Sequence, residues 1–326
     1  MHVLLTGATG FIGSHVLEML LNENYKVSCL VRKTSDLRWI KDKKDKIVLK
    51  EGDFLYPETL SNTMNDVDII IHIAGLPYSV DWHKYYLVNF IGTKNILHAA
   101  LKARNVKKFI YFSSQSACGP VNKGEIRDET ILPKPVSHSG KSKLLSEEEV
   151  LKCKDAMEVL ILRPTIVYGP RNFYLLPFFK LAKKGFFVTI GNPNRLINLC
   201  YIDDLINMLS ILLKKGFTSG EIFFVGGENY PIYEIRDLFS KVVGIKLKNI
   251  NIPDKVLPLL GFVSEIIGKL FKKNHMFNLD LVKEITRDNW AVNIEKICRF
   301  LNYVPNTSLK IGLHKTYEWY KRNGFL

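Results

Sequence analysis

No stretch of about 18 uncharged apolar residues occurs anywhere in the 326-residue chain, so no membrane-spanning helix is expected. Cysteine is scarce. Cys29, Cys118, Cys153, Cys200 and Cys298 are odd in number and show no CxxC or other metal-ligand spacing. That excludes a disulfide framework and a zinc site as expectations, and makes a reducing cytoplasmic setting the default, with no metal. No basic leader and apolar stretch precede the first motif, which begins directly after Met1-His2-Val3-Leu4-Leu5, so no signal peptide is expected. Acidic residues are outnumbered, 32 against 46 Lys and Arg, for a net charge of +14. No nucleic-acid-binding motif accompanies the surplus, so no nucleic-acid partner is expected. Runs such as Lys107-Lys108, Lys214-Lys215 and Lys272-Lys273 read as a solvated surface that can steer anionic ligands.

What is present is a globular composition, 47% hydrophobic and 24% charged, with no internal repeat. Short β-branched runs at 2–6, 26–31, 47–50, 68–73, 108–113 and 158–163 alternate with helical patterns near 11–23, 57–64, 85–104 and 140–153. Such alternation builds a parallel sheet covered by helices on both faces. The near-continuous apolar run Asp68-Ile69-Ile70-Ile71-His72-Ile73 suits a strand buried on both sides. After about residue 170 the pattern loosens. One apolar helical run there, Val256 to Phe271, holds Glu265 and Lys269 and is too short and too charged to span a bilayer. It reads as a lid or substrate-lobe helix, with weak membrane-surface association as the other reading.

Thr6-Gly7-Ala8-Thr9-Gly10-Phe11-Ile12-Gly13 joins the first strand to the first helix. In a dinucleotide-binding turn the first glycine makes the bend. The second admits a pyrophosphate to the backbone, and the third lets helix pack on strand. The helix start then turns its positive end to the phosphates. Gly7, Thr9, Gly10, Phe11, Ile12 and Gly13 are thus cofactor-binding candidates in an α/β fold. The expected architecture is a Rossmann-like doubly wound parallel sheet over 1–170, with a smaller C-terminal substrate-binding lobe over 171–326 and 195–225 returning to the core. The second strand ends Val31-Arg32-Lys33-Thr34, without the acidic residue that usually holds an NAD ribose. Arg32 and Lys33 therefore favour NADP(H), with NAD(H) the alternative.

Further segments carry a family resemblance: Gly52-Asp53-Phe54, His72-Ile73-Ala74-Gly75, Val88-Asn89-Phe90-Ile91-Gly92-Thr93, Ser113-Ser114-Gln115-Ser116 and Arg163-Pro164-Thr165-Ile166-Val167-Tyr168-Gly169-Pro170. Together with the glycine turn, and over essentially the whole chain, they resemble the extended short-chain dehydrogenase/reductases. That family includes nucleotide-sugar epimerases and dehydratases, dihydroflavonol reductases and 3β-hydroxysteroid dehydrogenases. The resemblance implies cofactor contacts from Asp53, Phe54, Ala74, Gly75, Asn89, Lys143, Pro164 and Val167. It also implies a possible homodimer.

The same resemblance implies a catalytic serine, tyrosine and lysine. Ser114 and Lys143 fill two of these positions, but Ser139 stands at the tyrosine position, and no tyrosine occurs between Tyr111 and Tyr168. A phenol near pKa about 10 can be brought toward neutrality by a nearby ammonium; an aliphatic hydroxyl starts higher and is shorter. Three readings stay open: an enzyme with altered proton transfer, a non-catalytic redox sensor, and an ordinary enzyme in which Ser139 is an engineered change. Apolar and aromatic segments at 76–82 and 173–179 suggest an apolar small-molecule substrate. Tyr78, Trp82, Ser116, Arg171 and Arg195 are its candidate contacts. The family's nucleotide-sugar enzymes usually carry an arginine where this chain has Ile197.

Overall fold

The computed structural model describes residues 1–270, 277–287 and 289–326, in two compact units. Phe271 and Lys272-Lys273 of the expectations above lie outside the described residues. Unit 1 comprises Met1–Cys118, His138–Arg163 and Leu209–Phe223; unit 2 comprises Gly119–Ser137, Pro164–Met208 and Phe224–Leu326.

Unit 1 carries a large sheet whose strands are β1 (His2–Thr6), β2 (Lys26–Val31), β3 (Val48–Glu51), β4 (Ile69–His72), β5 (Lys108–Phe112) and β6 (Glu158–Pro164). Their order is β6-β5-β4-β1-β2-β3, all in parallel register, with the strand Glu221–Val225 beside β6 as the seventh. The doubly wound fold expected from the sequence is therefore the fold found. The buried run Ile69, Ile70, Ile71 and His72 forms β4 near the sheet's middle, as strands covered on both faces require. On one face Leu4, Ile70, Phe109 and Val159 pack with Ile96, Leu97 and Val150 from the covering helices.

The parallel order places the strand ends in a row. From one side of the sheet to the other these are Gly52-Asp53, Arg32-Lys33, the glycine turn, Ala74-Gly75, Ser113-Ser114 and Pro164. The strand order reverses between β1 and β4, the switch point at which doubly wound sheets bind ligands.

Two helical expectations are refined. Residues 57–64 form a 3₁₀ turn, Pro57–Thr63, and not an α-helix. The expected 85–104 helix begins earlier, at Trp82–Tyr85, and continues as a π-helical segment, Tyr86–Ile91, before the α-helix Gly92–Ala103.

In unit 2 the strand Leu196–Tyr201 pairs with Asn229–Pro231, Asn289–Trp290 and Ile166–Tyr168, while Phe186–Ile190 pairs with Lys248–Ile252. Phe179 packs between Phe239 and Tyr320 with ring centroids 4.6 and 5.5 Å away. Part of the aromatic run at 173–179 is therefore interior to this unit. Among the described residues no helix is long and apolar enough to cross a membrane.

Candidate functional site

The glycine turn is set by backbone contact. Gly7 has φ +76°, a left-handed conformation in which a side chain is strained, and an added Cβ would come 2.8 Å from Ala74 N. A Cβ on Gly13 would lie 2.0 Å from Gly7 O. The helix Phe11–Asn22 starts at Gly10 with no side-chain cap and no acidic residue in its first turn. A helix start without a capping side chain suits a phosphate, whose charge its positive end favours.

At the neighbouring strand end, a directed run of hydrogen bonds fixes the position of each proton. Ala74 N–H donates to Thr6 Oγ1 (3.1 Å), and the Thr6 hydroxyl donates to His72 Nδ1 (2.7 Å), because neutral His72 carries its one proton on Nε2. His72 Nε2–H then donates to Thr93 Oγ1 (3.0 Å), whose hydroxyl donates to Asn89 O (2.5 Å). Burial, reinforced by the Lys143 charge, pushes His72 down to about 3, so it is neutral. Asn89 sits in the π segment, where such irregularities frequently mark function. Its Oδ1 accepts from Leu76 N (2.7 Å) and its Nδ2 donates to Ser142 Oγ (2.9 Å).

Ser142 belongs to the helix His138–Leu151, and its hydroxyl donates to Ser139 O (2.7 Å). One turn on, Lys143 Nζ donates to Phe112 O (2.9 Å) and lies 4.9 Å from the Tyr111 ring centre. Lys143 keeps some exposure, yet the atoms packed around it lower its ammonium to about 8, with Glu147 opposing the shift. A Cβ on Gly75 would meet both Asn89 Oδ1 and Lys143 Nζ at 3.1 Å, so these two groups converge on that glycine. The same helix packs against the 3₁₀ turn Gln115–Ala117, which Ser114 caps by accepting from Ser116 N (3.1 Å).

Ser139 is half-buried in the helix's first turn, and the neighbouring His138 stacks on Trp82 at 5.4 Å. Tyr111 is the tyrosine beside Lys143. Burial raises its phenol, the opposite of what an acid working near neutrality requires.

The helix is anchored by a feature the sequence did not reveal. Glu147 accepts from Arg163 Nε (3.0 Å) and Nη2 (2.7 Å) and from Ser113 Oγ (2.5 Å), with Glu147 and Arg163 side chains 2% and 4% exposed. Arg163 thus ties β6 to the helix. The Phe54 ring packs on Gly92, where a Cβ would come within 2.4 Å of it, and edge-on to His72.

At the opposite side of the row, a cavity of about 520 Å³ is lined by Arg32, Lys33, Thr34, Glu51, Asp53 and Tyr56, among others. Lys33 pairs with Glu51 at 3.5 Å, with both side chains largely exposed. An acidic side chain thus stands beside the end of β2 from β3, where Glu51 is opposite Val31. Only the paired register could reveal that. Asp53 is half-buried and its Oδ1 accepts from Leu55 N (2.9 Å).

Of the residues singled out in the sequence, the glycine turn, Arg32, Lys33, Asp53, Phe54, Ala74, Gly75, Tyr78, Trp82, Asn89, Ser114, Ser116, Ser139 and Lys143 lie in unit 1. Pro164, Val167, Arg171 and Arg195 lie in unit 2. There Arg195 is buried and reaches Asp254 Oδ1 at 3.4 Å. Tyr168 is buried too, its hydroxyl against Gly312.

Comparison with known proteins agrees with this geometry. Residues 3–226 match the sequence profile of the NAD dependent epimerase/dehydratase family. A sterol-4-alpha-carboxylate 3-dehydrogenase of Candida albicans is 27% identical, covering 97% of both chains. A ceramide reductase of Caulobacter vibrioides is 24% identical over 99% of this chain and 96% of its own. Among solved structures, UDP-glucuronic acid 4-epimerase from Bacillus cereus in complex with UDP-glucuronic acid and NAD superimposes with a TM-score of 0.79. It is 25% identical and covers 99% of this chain and 100% of that one.

Proposed function

Since this chain belongs to the NAD-dependent epimerase/dehydratase family, we propose that it oxidises, reduces or epimerises a carbonyl or hydroxyl carbon of a small apolar substrate, with proton transfer altered at Ser139. It is an enzyme of the extended short-chain dehydrogenase/reductase type and depends on a nicotinamide dinucleotide.

The observation that carries the proposal is the convergence of Lys143 Nζ and Asn89 on Gly75, next to a glycine turn that leaves no room for side chains. These residues fit a dinucleotide. The amides at Gly10, Phe11 and Ile12, with Thr9, would hold its pyrophosphate. Asp53 would hold the adenine end and Lys143 the ribose. When bound, the nicotinamide supplies the hydride donor or acceptor. Ser114 hydrogen-bonds the substrate oxygen. Ser139 is too short to replace a phenol, and a water beside it and Ser114 moves the proton.

NADP(H) is the preferred cofactor, on Arg32 and Lys33 at the mouth of the 520 Å³ cavity. NAD(H) is the second reading, favoured by Glu51, which pairs with Lys33. An apolar substrate is favoured over a nucleotide sugar because Ile197 occupies the position where an arginine is expected, and nearby Arg195 is engaged by Asp254.

The test is hydride transfer from deuterium-labelled NADPH and NADH to ketones and nucleotide-sugar intermediates, for this chain and for Ser139→Tyr. Replacing the serine by a phenol should raise turnover by roughly 10²–10⁴-fold. Equal turnover would assign the proton to another group. Tight, selective binding of a nucleotide sugar would overturn the substrate class. Silence from both proteins, with tight cofactor binding, would make the protein a redox sensor.

A further inference from the structure

The helix Leu257–Leu270 of unit 2 reverses the usual arrangement of a surface helix. Two of its polar residues, Ser264 and Glu265, are bonded within its own unit. Ser264 Oγ donates to Phe277 O (2.7 Å), and Glu265 Oε1 accepts from Leu279 N (3.0 Å). Leu257 and Gly261 are buried beside them, and a Cβ on Gly261 would come 3.0 Å from Val282, so the helix is closely seated. The exposed positions described from 259 to 267 are apolar. Leu259, Leu260, Phe262, Val263, Ile266 and Ile267 are 40–64% exposed, and Val256 continues the patch. Together they present on the order of 600 Å², at the upper end of what a soluble monomer exposes.

We propose that this face rests in the plane of an anionic lipid bilayer, with its apolar side chains in the acyl boundary. Three observations favour lipid over protein. Among the described side chains, the outward face carries none that hydrogen-bonds, which suits hydrocarbon and leaves a polypeptide partner with few polar anchors. Exposed Lys246, Lys248 and Lys255 precede it, and the chain carries a net charge of +14, complementary to anionic headgroups and repulsive toward a second copy. A stable dimer takes about 800 Å² from each partner, more than this face supplies. Since no described helix is long and apolar enough to cross a membrane, the helix lies on the bilayer and does not span it. The proposal stands whatever the substrate.

The full chain would be floated with vesicles of phosphatidylcholine alone and of equimolar phosphatidylcholine and phosphatidylserine, beside the variant Phe262→Ser/Ile266→Ser. Both positions are exposed, so the variant should keep its melting temperature and cofactor affinity. Binding should favour the phosphatidylserine vesicles, weaken with salt, and fall roughly tenfold or more in the variant. In Phe262→Trp, indole emission should shift to the blue on vesicles. Failure to bind either vesicle overturns the proposal. Equal binding by the serine variant also overturns it, by assigning attraction to basic surface alone. A dimer in sedimentation velocity that the variant dissolves, without vesicle binding, gives the face to a second copy and overturns it as well.

Discussion

The glycine turn and the first turn of the helix His138–Leu151 belong to the same unit, yet they are fixed by different means. At the glycine turn, backbone meets backbone: Gly13 leaves 2.0 Å between a would-be Cβ and Gly7 O. At the helix start the residue at 139 is half-buried, and the helix is held further along by Ser142, Ser146 and Glu147. Geometry for binding is thus written into contacts that almost no substitution can keep. The proton transfer proposed above rests instead on the single half-buried side chain at 139.

The contrast is tested most severely at the anchor. Arg163→Met leaves the Glu147 carboxylate buried without its partner and should cost about 3–5 kcal/mol in urea unfolding. A loss below about 1 kcal/mol would mean that the helix is not held there. Gly13→Ala comes next. It should cost about 1–3 kcal/mol through overpacking and abolish dinucleotide binding, whereas Ser139→Ala should stay within about 1 kcal/mol and bind the dinucleotide normally. If the two variants behaved alike in calorimetry, the contrast would fail.

The smallest effect concerns Lys143. Its folded pKa of about 8 lies below its ordinary 10.5 because of burial, so between those values the unfolded chain holds more proton than the folded one. Stability relative to Lys143→Met should therefore rise as pH increases from about 8 to about 10.5 and be flat below that window. Over the same limb kcat/KM should fall as the ammonium is lost, and Lys143→Arg should remove that fall.

Much of this was legible in the residues. The six strands β1–β6 fall within a residue or two of the runs that predicted them, and the buried ones among them, such as β1 and β4, need near-continuous apolar sequence. Gly7 and Gly13 were legible for a related reason: the turn admits no side chain. The π segment at Tyr86–Ile91 was not, since its register depends on what Asn89 and Thr93 bond across the fold. The Glu147–Arg163 pair joins residues 16 apart in sequence through packing, and no local pattern signals it. Glu51 escaped notice because it lies on β3 and faces Lys33 only once β2 and β3 are in register. That the Phe54 ring fills the space beside Gly92 was also not legible, since the two are 38 residues apart in sequence.

The hydrogen bonds running from Ala74 through Thr6, His72 and Thr93 to Asn89 all point one way. A polarised line of this sort has consequences for how the sequence can drift. Thr6→Val would strip His72 Nδ1 of its donor, and Thr93→Val would strip Nε2–H of its acceptor, each deep in the interior where an unmet partner is costly. No single member can be exchanged for an apolar residue without penalty, while exchanging all together incurs far less. Descendants of this chain should thus carry Thr6, His72 and Thr93 as an inherited set, kept whole or lost as a whole.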